Sequence, residues 1–126
     1  METPARNYTA VDIPDFLSDV GYGDGPFMYA RVKPLLDLKD LGGELEIHPR
    51  YGVKVDTPER FIYDGEDWDE AKEVVNGDGD GTVNARSLRA VNAFKNAEYK
   101  EFEGQTHTGL LKHQPLIDEL VQFALK

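Results

Sequence analysis

The stretch Gly77-Asp78-Gly79-Asp80-Gly81-Thr82-Val83-Asn84 decides how the rest of the chain reads. Glycines at alternate positions defeat both helical and strand patterning and admit positive φ, so the segment reads as a tight loop. Val83 can anchor that loop in a core. Beyond it, Leu88, Val91 and Phe94 fall on one face of a helix over 85–95, and Tyr99-Lys100-Glu101-Phe102 reads as a strand. A second loop follows, Gly104-Gln105-Thr106-His107-Thr108-Gly109. Ile117, Leu120, Val121 and Ala124 then repeat at helical spacing, with Pro115 suited to a first turn. The order strand, loop, helix, strand, loop, helix favours an α/β fold with a mostly parallel sheet.

Upstream the signals are weaker. Ile13, Phe16, Leu17 and Val20 predict a short amphipathic helix over 13–20, with Asp12 as N-cap and Pro14 in the first turn. Gly21-Tyr22-Gly23-Asp24-Gly25-Pro26 stops it. Met28, Val32, Leu35 and Leu36 repeat the helical spacing, Pro34 splits the stretch, and Gly42-Gly43 ends it. Alternation over 44–49 predicts a strand. Residues 51–59 hold Gly, Asp, Thr and Pro and read as a loop, and Phe61-Ile62-Tyr63 as a short strand. From 64 to 80 there are eight acidic residues and one basic one, Lys72, which predicts a solvated acidic loop.

Composition narrows the function classes. The 126 residues are 40% apolar and 30% charged, a globular balance that can bury one core. Fourteen basic residues against 24 acidic ones leave a net charge of −10, which argues against nucleic acid and anionic membrane surfaces as partners. The absence of cysteine removes disulfides, thiolate metal sites and a cysteine nucleophile. No apolar run approaches a transmembrane span, and no apolar h-region follows Met1. Asn7-Tyr8-Thr9 fits a glycosylation acceptor pattern. The compartment stays open.

Two loops can carry chemistry. One holds Asp80, the other His107, and each follows a sheet element in the order acid then base. In α/β-hydrolases a nucleophilic Ser precedes an Asp or Glu, which precedes a His, and the last two sit on loops at the ends of late strands. A His general base takes the Ser proton and returns it to the leaving group. A carboxylate on the other ring nitrogen fixes the tautomer and stabilises the imidazolium. Asp78 is the rival acid. Asp80 is preferred because Val83 can anchor its loop. The helix over 85–95 would cross between the two strands.

The nucleophile is missing. Its elbow is Gly-x-Ser-x-Gly on a strand-to-helix turn. Ser18 and Ser87, the two serines of the chain, lack flanking glycines and fall on predicted helices. An Asp–His pair without a Ser predicts the C-terminal portion of such an enzyme, inactive by itself. A calcium loop competes at the same place. Asn76, Asp78, Asp80, Gly81 and Val83 occupy the first, third, fifth, sixth and eighth positions of an EF-hand pattern, and a weak helix over 68–75 could lead into it. Its twelfth position is Ser87, which supplies no bidentate carboxylate. His48 reads as an ordinary sheet or surface residue and His113 as exposed, and the three histidines have no zinc-like spacing. No metal or other cofactor is expected.

The string Gly77-Asp78-Gly79-Asp80-Gly81-Thr82-Val83-Asn84, with Ser87-Leu88 after it, resembles the lecithin–cholesterol acyltransferase and lysosomal phospholipase A family. Asn7-Tyr8-Thr9 with Phe16-Leu17-Ser18-Asp19-Val20-Gly21 is similar to a segment well before that family's Asp loop. Tyr51-Gly52 with Thr57-Pro58-Glu59-Arg60-Phe61 is similar to its Tyr-Gly-x-Gly-Val-Pro-Thr-Pro stretch. Gly104 to His107 with Leu110-Leu111 resembles its catalytic His loop. The resemblance implies an α/β-hydrolase fold and acyl transfer from phospholipid to an alcohol or water, with Asp80 as triad acid and His107 as triad base. It further implies 1–43 as a helical and loop segment and 44–126 as the late strands and helices of the sheet. Phospholipid or another lipid ester is then the expected substrate, and a complementary N-terminal half carrying the Ser the expected partner. A calcium-binding or interaction module on the 76–87 loop, and a non-catalytic paralogue, remain the alternatives.

Overall fold

A computed structural model describes residues 1–36, 45–65 and 67–125. Its regular elements are α1 (Ile13–Asp19), α2 (Gly25–Val32), β1 (Arg50–Val53), β2 (Val55–Ile62), β3 (Glu73–Gly79), α3 (Ala85–Leu88), β4 (Lys100–Glu103) and α4 (Gln114–Ala124). Short 3-10 turns at Lys33–Leu36, Arg89–Ala93 and Gly109–Lys112 extend α2 and α3 and lead into α4. The predicted stop at Gly42-Gly43 lies outside the described residues.

The sheet is mixed. β1 and β4 pair in parallel from Arg50↔Lys100 to Val53↔Glu103, and an Ile47↔Ala97 bridge extends the ladder. β2 and β3 form a second two-stranded sheet. A Cβ built on Gly77 would meet Glu59, and one on Gly79 would meet Thr57, so the two chains run in opposite directions. The loop expected over 51–59 is therefore sheet, and the acidic stretch over 64–80 ends as a strand. Alternation across Val55, Thr57, Glu59 and Phe61 carries the strand, and the intervening Pro58 is tolerated in a two-stranded pair. The strand expected over 44–49 begins later, at Arg50. The expected crossover also changes. The strand that leads to Asp80 pairs with β2, and β4 pairs with β1.

The described chain divides into two compact units, 1–39 with 60–75, and 40–59 with 76–126. The first unit gathers Tyr8, Phe16, Tyr63 and Trp68, with ring centroids 5.5–6.2 Å apart. Such edge and tilted contacts suit the ring quadrupoles. Its α2 leaves Met28, Val32 and Leu35 exposed.

The second unit holds both loops. Phe102, Leu110 and Leu116 pack into a buried cluster, beside buried Tyr51, Val53 and Ala85. The helix expected over 85–95 is one α-turn followed by a 3-10 stretch. Asn84 caps it, its side chain accepting from the Arg86 N–H at 3.0 Å. In α4 the buried face is not the expected one. Leu116 is buried, whereas Leu120 and Val121 are exposed. Arg50 sets this rotation. Its guanidinium grips Glu119 through two bonds of 3.1 and 2.8 Å and lies 5.7 Å from the Phe123 ring. That fork turns the 116, 119 and 123 face toward β1.

Candidate active site

Asp80 follows the last residue of β3 and begins a turn that closes on itself. Its own N–H donates to the Val83 carbonyl at 3.2 Å. Its Oδ1 accepts from the N–H groups of Thr82 at 3.0 Å and Val83 at 2.8 Å. Gly81 takes φ +87°, a region that favours glycine and lets the chain fold back over the carboxylate. Gly79 leaves no room for a side chain between Thr57 and the Val83 carbonyl. The alternating glycines thus have physical work at 79 and 81.

His107 meets this turn twice. Its N–H donates to the Asp80 carbonyl at 2.8 Å, and its Nδ1 lies 2.8 Å from Asp80 Oδ2. The main-chain bond fixes where the ring starts, and the side-chain bond fixes how it turns. Gly52 of β1 lets this pairing form. A Cβ there would overlap the Gln105 carbonyl and stand 3.2 Å from the Asp80 Cβ.

The pair is asymmetric in its exposure. The Asp80 side chain is 4% exposed and that of His107 is 49% exposed. Burial opposes ionisation of Asp80. The bonds from Val83 N–H, the His107 ring and Thr82 N–H outweigh it and hold the carboxyl below its ordinary value. An ionised carboxylate only accepts, so the Nδ1 facing it carries the proton. In neutral His107 the lone pair is then on Nε2. Chemically, an imidazole whose tautomer is held by a buried carboxylate can serve as a general base.

The other candidates go elsewhere. Asp78 is exposed, accepting from the Lys54 N–H at 2.6 Å and lying 3.4 Å from Arg89. Ser18, on α1, donates to the Pro14 carbonyl at 3.2 Å. Ser87, on α3, lines a cleft of about 500 Å³ with Leu88, Val91 and Phe94. Among the described residues neither hydroxyl is hydrogen-bonded to His107. His113 is half-buried rather than exposed, its ring 5.2 Å from that of Phe102, and His48 stacks 4.5 Å from Phe123. The helix expected over 68–75 to lead into a calcium loop is irregular to residue 72 and strand β3 from Glu73. The Asp78 and Asp80 oxygens take donors from the chain itself, and among the described residues no group of three or more His, Cys, Asp or Glu could hold a metal ion.

Sequence reasoning left Thr57 in a loop, although it is fully buried beside this turn. Its signal was the period-two spacing from Val55 to Phe61, obscured by Asp56 and Pro58.

No protein-family model matches the chain. Curated proteins do. Lecithin-cholesterol acyltransferase-like 1 of Arabidopsis thaliana is 36% identical over 121 residues, covering 95% of this chain and 28% of that protein. Lysosomal phospholipase A and acyltransferase of Mus musculus is 32% identical over 129 residues, covering 98% of this chain and 31% of that protein. Phosphatidylcholine-sterol acyltransferase of Gallus gallus is 32% identical over 111 residues, 87% of this chain and 27% of that protein. The chain is a homologue of the lecithin–cholesterol acyltransferase and lysosomal phospholipase A proteins. It spans less than a third of the length of these relatives. Among the described residues, no helix of this acyltransferase homologue is long and apolar enough to cross a membrane.

Proposed function

We propose that this chain carries the acid and the base of a Ser–Asp–His acyl-transfer site acting on phospholipid or a related lipid ester. In this reading it is the C-terminal portion of an α/β-hydrolase sheet. Residues 1–43 belong to a helical and loop segment, and 44–126 carry the late strands and helices. The nucleophile comes from a complementary N-terminal part. One observation carries the reading: the 2.8 Å contact of His107 Nδ1 with a buried Asp80 whose other oxygen is held by two main-chain donors. The names of the relatives, acyltransferases and phospholipases, supply the substrate class.

Each group then has a defined task. The Ser oxygen attacks the ester carbonyl carbon as its proton passes to His107 Nε2. Asp80 stabilises the resulting imidazolium without taking the proton. The tetrahedral intermediate collapses, the ester C–O bond breaks, and His107 returns the proton to the departing oxygen. An alcohol or water, its proton passing to His107, then attacks the acyl-enzyme carbonyl; the bond from the acyl carbon to the Ser oxygen breaks and His107 returns the proton to that oxygen. Without the nucleophile the covalent route is closed, so the 126-residue chain alone turns over no substrate.

Two measurements test this. The intact mass of the native gene product should exceed that of the 126-residue chain. In that longer protein, His107→Ala should cut phospholipid acyl release roughly 10³- to 10⁴-fold with circular dichroism unchanged. Near-normal release by that variant would overturn the triad assignment. A native product of only this length would instead make the chain a non-catalytic relative or one half of a split enzyme whose partner carries the Ser.

A further inference from the structure

Thr57 is fully buried, and its hydroxyl is committed at both ends. Oγ1 donates to the Val55 carbonyl at 2.8 Å and accepts from the Gly81 N–H at 2.8 Å. Gly81 is the residue after Asp80, and the next two N–H groups are those that grip Asp80 Oδ1. The same hydroxyl and its Cβ fill the space a side chain at Gly79 would need. Thr57 therefore touches the chain on both sides of Asp80. The three successive N–H groups of 81, 82 and 83 divide their work: the first is tied to β2 through Thr57, the other two to the carboxylate.

We infer that Thr57 is a positioning residue for the acid–base pair, its hydroxyl orienting the Asp80 turn so that Oδ2 faces His107 Nδ1. This rests on the reading of Asp80 and His107 as that pair. Among the described residues the Thr57 hydroxyl bonds to Val55 and Gly81 and not to the ring, so it acts through the Gly81 N–H. If the hydroxyl is removed, that N–H loses its acceptor, and the peptide between Asp80 and Gly81 is held only at its carbonyl, by the His107 N–H. Rotation carries Asp80 Oδ1 away from its two donors and Oδ2 away from the imidazole. The methyl group of Thr57 takes no part in these hydrogen bonds, so bulk and hydroxyl are separate properties of this side chain.

The two properties separate by substitution. Thr57→Val keeps the shape and removes the hydroxyl, and Thr57→Ser keeps the hydroxyl and removes the methyl. The readout is the low-field NMR resonance of the His107 Nδ1 proton in the 126-residue chain and its exchange rate with solvent. A merely structural role for Thr57 would move the melting temperature but not this proton in a folded variant. In Thr57→Ser the resonance should persist. In Thr57→Val it should broaden or vanish, with exchange about tenfold faster, the size expected for one lost hydrogen bond. Loss of the resonance in folded Thr57→Ser, or its persistence at the original rate in folded Thr57→Val, would overturn the inference while the pair stands. If Thr57→Val does not fold, Thr57→Ala takes its place: it should also lose the resonance, and a folded Thr57→Ala that keeps it at the original exchange rate would overturn the inference. Asp80→Asn controls for the underlying reading, because it should abolish the resonance. If it does not, the acid–base pair itself fails, and the role of Thr57 with it.

Discussion

Asp78 and Asp80 stand two residues apart, at the end of β3 and the start of the turn that follows, and they have opposite fates. The Asp78 side chain is 42% exposed and meets Arg89 at 3.4 Å, itself shared with Glu101 at 2.8 Å. The Asp80 side chain is 4% exposed and is held by two main-chain N–H groups and one ring nitrogen. The first arrangement is a set of exposed side chains with one main-chain donor, the Lys54 N–H, in water, where ion pairs contribute little and tolerate change. The second is built from backbone, which cannot relax when its partner is altered. The difference teaches that acid count does not locate the chemistry of this loop. What locates it is the turn that starts at Asp80 and leaves three N–H groups facing inward.

The sharpest break between the two carboxylates is catalytic. If the proposed site is completed by a nucleophile, Asp80→Asn should lower phospholipid acyl release about 10⁴-fold. The amide turns a donor toward Nδ1 and favours the wrong tautomer of His107. Asp78→Asn should leave release near wild type. Equal losses in the two variants would remove the distinction drawn here. Loss in Asp78→Asn alone would transfer the acid role to Asp78.

Two glycines extend the comparison to stability. Gly52→Ala places a methyl group against the Gln105 carbonyl, and backbone must move to admit it. The cost should be about 3 kcal/mol or more, since overpacking at an interior contact strains both chains. Gly104→Ala meets nothing within 4 Å, and only its φ of +71° opposes the change. That cost should be about 1 kcal/mol. Urea unfolding midpoints of the two variants read the contrast directly. A Gly52→Ala midpoint equal to that of Gly104→Ala would mean that the His loop moves away from β1 at little cost.

The same contrast explains what was legible beforehand. Asp80 and His107 could be paired from order alone, because glycine-rich loops after strands announce themselves locally. A parallel pairing is also expected in the second half, but between the strand that leads to Asp80 and the strand over 99–102; β4 pairs instead with β1, most of which reads as loop. The β2–β3 sheet did not follow. Its residues include Asp56, Pro58, Glu59, Asn76 and Gly77, which weaken strand propensity, and only pairing with each other makes the sheet. The face of α4 was misread for a similar reason. Periodicity favoured 117, 120, 121 and 124, whereas the distant Arg50 selects Glu119 and Phe123. Thr57 was hidden because its role depends on Gly81, twenty-four positions away. Local patterns carry local turns, and contacts across the chain decide faces and registers.

The smallest effect lies in acid stability, where the buried and surface carboxylates should separate by salt. Asp80 is held below its ordinary value although burial opposes its charge, through Val83, His107 and Thr82. Glu101 is held below its own chiefly by the hydrogen bond from Arg89. Each carboxyl then binds protons less readily folded than unfolded. The stability each contributes is present above its unfolded value, roughly 4, and is lost as pH falls through the folded value. Unfolding midpoints at pH 6 and pH 3 should therefore diverge less in Asp80→Asn and in Glu101→Gln than in the wild type. About 1 M salt shortens the Debye length to roughly 3 Å and weakens pairs between exposed side chains. It should remove most of the Glu101 contribution, because the Arg89 partner is 46% exposed. It should leave most of the Asp80 contribution, because two of its donors are main-chain groups around a buried carboxylate. If salt removed both equally, the Asp80 turn would be an open surface pair, and backbone would no longer be what distinguishes it from Asp78.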